Sequence, residues 1–229
     1  PRMPALLNEL TSLGFNRVPK VNAGFWLIKL LAVTVGETAA DYLSLNLGLG
    51  LSLTSWIMST GLVAALVLQF SRRRYVPWTY WLAVVLINIV GTLITDNLTD
   101  NLGVPLEITT IFCSVSLAAT FVVWYVLEQS LSIHTIYNFR REAFYWLAIL
   151  LTFALGTAAG DLVAEVFGVG YLFTGLLFGT IIGAIAGEDF AFEANAILSF
   201  WLTYIFTRPL GASFGDLLSQ PVEYGGLGF

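Results

Sequence analysis

The sequence predicts an all-α membrane protein made of parallel two-helix repeats in an AB–A′B′ duplication, with seven helices present of an expected eight. Three observations carry this. The mean hydropathy is +0.81, and 57% of residues are hydrophobic against 11% charged, a balance that belongs to membrane proteins. Seven stretches are long and apolar enough for a spanning helix, which needs about 20 residues. One pattern, W-L-x8-G-x4-D, occurs four times: Trp26/Gly36/Asp41, Trp81/Gly91/Asp96, Trp146/Gly156/Asp161 and Trp201/Gly211/Asp216.

The segments follow in order. Residues 24–45 hold the first motif. Residues 52–70 are a short apolar run with Gly, Ser and Thr inside, so little tilt or some irregularity is expected. Residues 78–98 hold the second motif, 106–127 are apolar around Cys113, and 143–165 hold the third motif. Residues 170–187 are again short and carry a glycine ridge at Gly175, Gly179, Gly183 and Gly187, while 195–217 hold the fourth motif. Connections this short leave no room for a sizeable soluble domain, so residues 1–229 read as one transmembrane domain. Its repeats are 24–70, 78–127, 143–187 and an incomplete 195–229.

The aspartates lie 55, 65 and 55 residues apart, and Asp41 to Asp161 equals Asp96 to Asp216. With two helices per unit, every motif helix enters the membrane in the same direction, which is parallel-repeat architecture about the membrane normal. The second half of each unit repeats too: Gly48, Gly103 and Gly168 follow the aspartate by seven residues, Thr54, Thr109 and Thr174 by thirteen. In the fourth unit the thirteenth position is Phe229, so an eighth helix is expected beyond this sequence.

Several classes are excluded. The first 23 residues, with Arg2, Arg17 and Lys20, have no compact apolar core of a signal peptide. A lone Cys113 rules out a disulfide framework, and a lone His134 in a polar connection leaves no nucleophile–base constellation, so an enzyme is not expected. The seventh span has no lysine for a retinal Schiff base. The net charge of −5 says little about partners, because the charges are segregated. Arg17, Lys20, Arg72, Arg73, Arg74, Arg140 and Arg141 all flank one membrane side, while the connections after the first, third and fifth spans contain no Lys or Arg. The positive-inside rule then makes the N-terminus cytoplasmic, with the acidic Glu188/Asp189/Glu193 connection a mild dissent on the same side.

Within each motif a small residue follows the glycine by four: Gly36/Ala40, Gly91/Thr95, Gly156/Gly160 and Gly211/Gly215. Such pairs let helix backbones approach closely in lipid. The tryptophan precedes the aspartate by about 22 Å of helix. With the indole at the cytoplasmic interface, the aspartate falls in the outer half of the bilayer. There, four carboxylates at the negative ends of parallel helices need compensation by a cation, protonation, basic partners or water.

The candidate ion-binding or proton-carrying residues are Asp41, Asp96, Asp161, Asp216 and Glu37, the four aspartates also as metal ligands. Lys29, Thr92, Thr157, Arg208 and Ser213 are the supporting polar set. Lys29, Glu37 and Asp41 share one helical stripe, as do Thr92 and Asp96 with Asp100 one turn on, Thr157, Asp161 and Glu165, and Arg208 and Asp216. Carboxylates with hydroxyls suit hard cations or protons. Lys29 and Arg208 are expected either to neutralise Glu37 and Asp216 or to be displaced by an incoming cation.

The tandem tryptophan-bearing units, in stretches such as KLLAVTVGETAADYL, GTAAGDL and RPLGASFGDLL, resemble a family of bacterial multi-pass "membrane-anchored" proteins with four tandem two-helix repeats of unknown function. The resemblance covers essentially the whole chain and implies no activity; the final helix of the family pattern is missing. The residues themselves favour a bacterial inner-membrane transporter of cations, divalent metal or proton-coupled, built on the intramembrane carboxylates. The alternative is a non-transporting structural or sensory membrane protein whose polar stripes only pack the helices. Membrane lipid and a small cation are the expected partners, a homo-oligomer is compatible, and neither nucleic acid nor a cofactor is implied. Transport predicts aspartates facing a shared cavity; a scaffold predicts them splayed outward or closed in salt bridges.

Overall fold

The computed structural model describes residues 16–192 and 195–219, with 222, 226 and 227. Phe229, Glu193 and residues 1–15, each part of the sequence reading, lie outside the described residues. The fold is all-helical: α1 (Ala23–Asp41), α2 (Gly50–Phe70), α3 (Pro77–Asp96), α4 (Leu106–Glu128), α5 (Phe139–Asp161), α6 (Tyr171–Phe192) and α7 (Ala196–Ser219). By length and composition, six of them can cross a membrane. The seventh, α7, has 24 residues but carries Arg208, Pro209 and Asp216, all buried against its neighbours.

Boundaries follow local chemistry. The Asn22 side chain accepts from the Phe25 amide at 2.8 Å and starts α1. Asn138 does the same for the Arg141 amide at 2.8 Å, so α5 begins four residues before the expected 143. Pro77 sits in the first turn of α3, where a missing N–H costs nothing. The expected irregularity of the second and sixth spans is absent, because α2 and α6 are regular helices of 21 and 22 residues.

Irregularity occurs instead immediately after three motif aspartates. There the α-helix widens into a π turn, at Tyr42–Asn46, Asn97–Asn101 and Leu162–Val166. The amides of Leu47, Leu102 and Phe167 close these turns onto the carbonyls five residues back. Gly48, Gly103 and Gly168 then adopt φ near +66°, which explains a glycine at the seventh position past each aspartate.

The motif helices close a ring: α1 packs on α3, α3 on α5, α5 on α7, and α7 on α1. Each other helix packs outside, on the motif helix of the next unit: α2 on α3, α4 on α5, α6 on α7. One contact recurs four times around the ring. A Cβ on Gly36 would overlap the Asn88 side chain, on Gly91 that of Phe153, on Gly156 that of Arg208, and on Gly211 that of Val33. Asn88, Phe153, Arg208 and Val33 all stand three residues before the motif glycine of the next unit. Every motif glycine is thus the seat for one side chain of its neighbour, and any larger residue would push the ring apart.

The tryptophans also interlock. Trp26 meets Phe200 at 5.7 Å between ring centroids, Trp81 meets Phe25 at 5.7 Å, Trp146 meets Tyr80 at 5.5 Å and Trp201 meets Tyr145 at 6.2 Å. Each thus packs on the aromatic residue preceding the tryptophan of an adjacent unit. This corrects the expected interfacial belt: Trp146 and Trp201 are buried, and Trp26 and Trp81 only partly exposed, in an aromatic plug inside the bundle. All four lie at one end, so the motif helices are parallel.

A prediction follows from the seats. In Gly91→Ala the new Cβ meets Phe153 Cβ at 2.7 Å and backbone at 3.2 Å, whereas around Gly183 nothing lies within 4 Å. Gly91→Ala should lose about 1–3 kcal/mol of stability by overpacking, and Gly183→Ala essentially none, read from unfolding midpoints in detergent.

Candidate functional site

Opposite the aromatic plug, the ring opens into a cavity of about 180 Å³. Its walls are Glu37, Asp41, Asp96, Asp100, Asp161, Glu165 and Asp216, joined by Ser44, Thr99, Tyr171, Leu51 and Leu106. The repeat explains the list. Besides the motif aspartates it contains the residues three beyond them (Ser44, Thr99), four beyond (Asp100, Glu165) and ten beyond (Leu51, Leu106, Tyr171). The π turns carry the first two sets, and the first turns of α2, α4 and α6 carry the third.

Among the described residues, no basic side chain lines this cavity. Carboxylates facing one another across a cavity this small repel. The C-terminal ends of the motif helices add partial negative charge from the same side. The cavity is therefore an acidic vestibule. Asp41, Asp96 and Asp161 are partly exposed, Asp216 is buried, and Glu37 forms part of the deepest wall. Of the internal contacts, Asp41 accepts from the Ser219 hydroxyl at 3.4 Å, and Glu165 accepts from the Tyr171 hydroxyl at 3.1 Å.

Beneath the vestibule lies a closed polar layer. Glu37, Thr92 and Thr157 each follow their motif glycine by one residue; the fourth unit has Ala212 there. The small Ala212 leaves the layer open to Arg208 from one turn below, and Gly156 leaves room for its stem. Arg208 is fully buried and ion-paired with Glu37. Its Nη2 also donates to the hydroxyls of Thr92 and, at 2.6 Å, Thr157, while Thr92 donates to Glu37 at 2.8 Å. Four helices are thus joined through one nitrogen of a buried guanidinium, which meets a carboxylate and two hydroxyls.

Several expectations are corrected by this geometry. Arg208 neutralises Glu37, not Asp216, because its side chain runs through the Gly156 notch toward the ring centre. Lys29 pairs with no carboxylate among the described residues. Its Nζ donates to the Tyr204 carbonyl at 2.6 Å and lies 3.4 Å from the Tyr204 ring centroid, since Tyr204 occupies the equivalent position in the neighbouring unit. Thr92 and Thr157 serve the Arg208 layer instead of pairing with Asp96 and Asp161. Ser213 does not join the site: its hydroxyl donates to the Pro209 carbonyl of its own helix at 2.8 Å, and its Cβ faces Gly175 of α6.

The metal set Asp41, Asp96, Asp161 and Asp216 shares the cavity but does not converge. Among the described residues, no three His, Cys, Asp or Glu side chains come close enough to hold a metal ion. One aspartate comes from each motif helix, so the four line the cavity on separate walls instead of forming a cage.

The sequence reading missed Asn88. It is fully buried and donates to the Ala32 and Val33 carbonyls at 3.1 and 2.9 Å, bolting α3 to α1. An asparagine in the middle of an apolar span, three residues before the motif glycine, was the available signal.

A repeat profile described as Repeat of Unknown Function (DUF347) matches residues 24–75, 79–130, 144–194 and 199–229. The chain belongs to this repeat family. Neither a curated protein nor a solved structure matches it. Each match to the family repeat spans one motif helix, and the first three also span a π turn and the helix after it.

The ion pair generates a second prediction. Glu37→Gln orphans Arg208 and Arg208→Met orphans Glu37, so either should cost about 3–5 kcal/mol, while the double variant recovers most of the loss. Denaturant unfolding of the three proteins in micelles checks this through the coupling energy.

Proposed function

We propose that this protein is an inner-membrane transporter of small cations, with the acidic vestibule as its ion-binding basin. The observation that carries this reading is that the four repeated aspartates and Glu37 line one cavity. A structural role alone gives no reason for every unit to direct a carboxylate into shared space, where the charges repel. A cation or proton supplies the missing compensation. The Glu37–Arg208 pair forms the floor, and an incoming positive charge competes with Arg208 for Glu37. In this reading the floor is a gate that responds to occupancy of the basin.

Orientation follows from charge. The tryptophan end carries Arg17 and Arg141, packed against Glu142 and Glu128 respectively, along with Arg72, Arg73, Arg74 and Arg140. That end is assigned to the cytoplasm of a bacterial cell and the vestibule to the outer side. With no dehydrating cage, the basin suits hydrated ions or protons better than a tightly ligated metal.

The second reading, a non-transporting structural or sensory protein, rests on the closed Arg208–Glu37–Thr92–Thr157 layer, which ties four helices irrespective of any ion.

Asp41→Asn and Asp161→Asn keep shape and remove charge. Each should weaken cation binding more than tenfold, about 1.4 kcal/mol, over a calorimetric panel of monovalent and divalent ions. Trp81→Phe, in the aromatic plug about 22 Å away along the helix, should lower stability and leave affinity unchanged. Wild type that binds no ion in the panel would favour the structural reading.

A further inference from the structure

Polar and ionisable side chains continue below the vestibule floor, at every turn of the motif helices, through an otherwise apolar core. One turn below Glu37, in the α7 and α3 positions, stand Arg208 and Asn88; a turn further stand Lys29 and Tyr204. Next come Tyr80 and Tyr145, both fully buried, with hydroxyls 2.6 Å apart at the centre of the aromatic plug. Last is Glu142, fully buried, one turn before Trp146. It accepts from Gln69 at 3.0 Å and pairs with Arg17 near the tryptophan-end surface.

We propose that this column is a proton path, and that the proton is the ion that crosses the protein. The inference rests on the transport reading above and names its substrate.

Three observations support it. First, a metal cation following the axis would meet the fully buried guanidinium of Arg208, and a turn below it the buried Lys29, which has no carboxylate partner among the described residues. Fixed positive charges in a narrow pore exclude cations. A lysine, in contrast, carries a proton by gaining or losing one. Second, the plug is packed by interlocked rings, so no ion passes with its hydration shell. Third, polar atoms in the two intermediate layers are buried without a hydrogen-bond partner among the described residues: Asn88 Oδ1, Arg208 Nε and Nη1, and the Tyr204 hydroxyl. Such groups are the usual hosts of buried water, which joins side chains a helical turn apart.

Each step conserves protons. A vestibule aspartic acid gives its proton to Glu37; Glu37 passes it through water to a neutral Lys29 amine. The ammonium releases it toward the Tyr80–Tyr145 pair. There one hydroxyl accepts a proton as it yields its own, and Glu142 receives that one and releases it at the tryptophan-end surface. One O–H or N–H bond breaks for each that forms, with no net chemistry.

The experiment is proton flux into liposomes holding purified protein and a pH-sensitive dye, driven by a potassium–valinomycin potential. The variants are Lys29→Met, the double variant Tyr80→Phe/Tyr145→Phe, and Glu142→Gln. The first two have precedent in the fold, since Val84 and Ile149 occupy the lysine position, and Phe25 and Phe200 the tyrosine position, of other units. Calorimetric cation binding at the vestibule, run on every variant, reports whether the fold survives. The expected result is wild-type proton flux that falls at least tenfold in Lys29→Met and the double tyrosine variant, with vestibule binding unchanged. Wild-type flux equalled by those two variants overturns the column. Passage of a metal ion without proton flux overturns the inference and leaves the transport reading standing. Neither flux nor cation binding in wild type removes both.

Discussion

The structure depends on close approach of four parallel helices at four glycines. Parallel helices bring like ends together, and lipid supplies no hydrophobic drive for their association. Dispersion across a tightly fitted interface has to hold them. Seating Asn88, Phe153, Arg208 and Val33 each against a bare glycine backbone gives that fit at every junction of the ring. Once the ring closes at that radius, the residues one turn above meet in the Glu37–Arg208 layer, and the aspartates share a single cavity.

Pseudo-symmetry is kept where packing needs it and broken where charge does. The seats and the interlocked aromatic rings repeat in all four units. The layer above the glycines does not: four acids there would be untenable at such distances, and four hydroxyls would offer no charge. The chain instead uses one acid, two threonines and one alanine, with an arginine entering from the layer below. Lys29 is a second departure, filling with Tyr204 a level that the other two units fill with Val84 and Ile149. The two buried basic side chains of the motif helices' interior, Lys29 and Arg208, thus stand on α1 and α7, which closure of the ring brings side by side.

The π turns carry Ser44, Thr99, Asp100 and Glu165 on the vestibule wall, and a left-handed glycine then returns the chain to the peripheral helix.

How much of this was legible in the sequence divides by range. The recurring W-L-x8-G-x4-D pattern, with apolar spans of about 20 residues, determined an all-helical membrane fold, its tandem units and their common direction. Those features depend only on local periodicity and chain order. The aspartates' common depth was legible for the same reason. Which helix neighbours which was not, because a glycine seat is defined by the partner helix. Tertiary structure alone therefore decided that Arg208 meets Glu37 and not Asp216, that Lys29 rests on Tyr204, and that the tryptophans turn inward. The π turns were hidden as well, since a π turn differs from an α turn by one residue and leaves no hydrophobic period of its own. Side-chain pairing in a ring is fixed by radius and rotation, which packing sets and a linear pattern cannot encode.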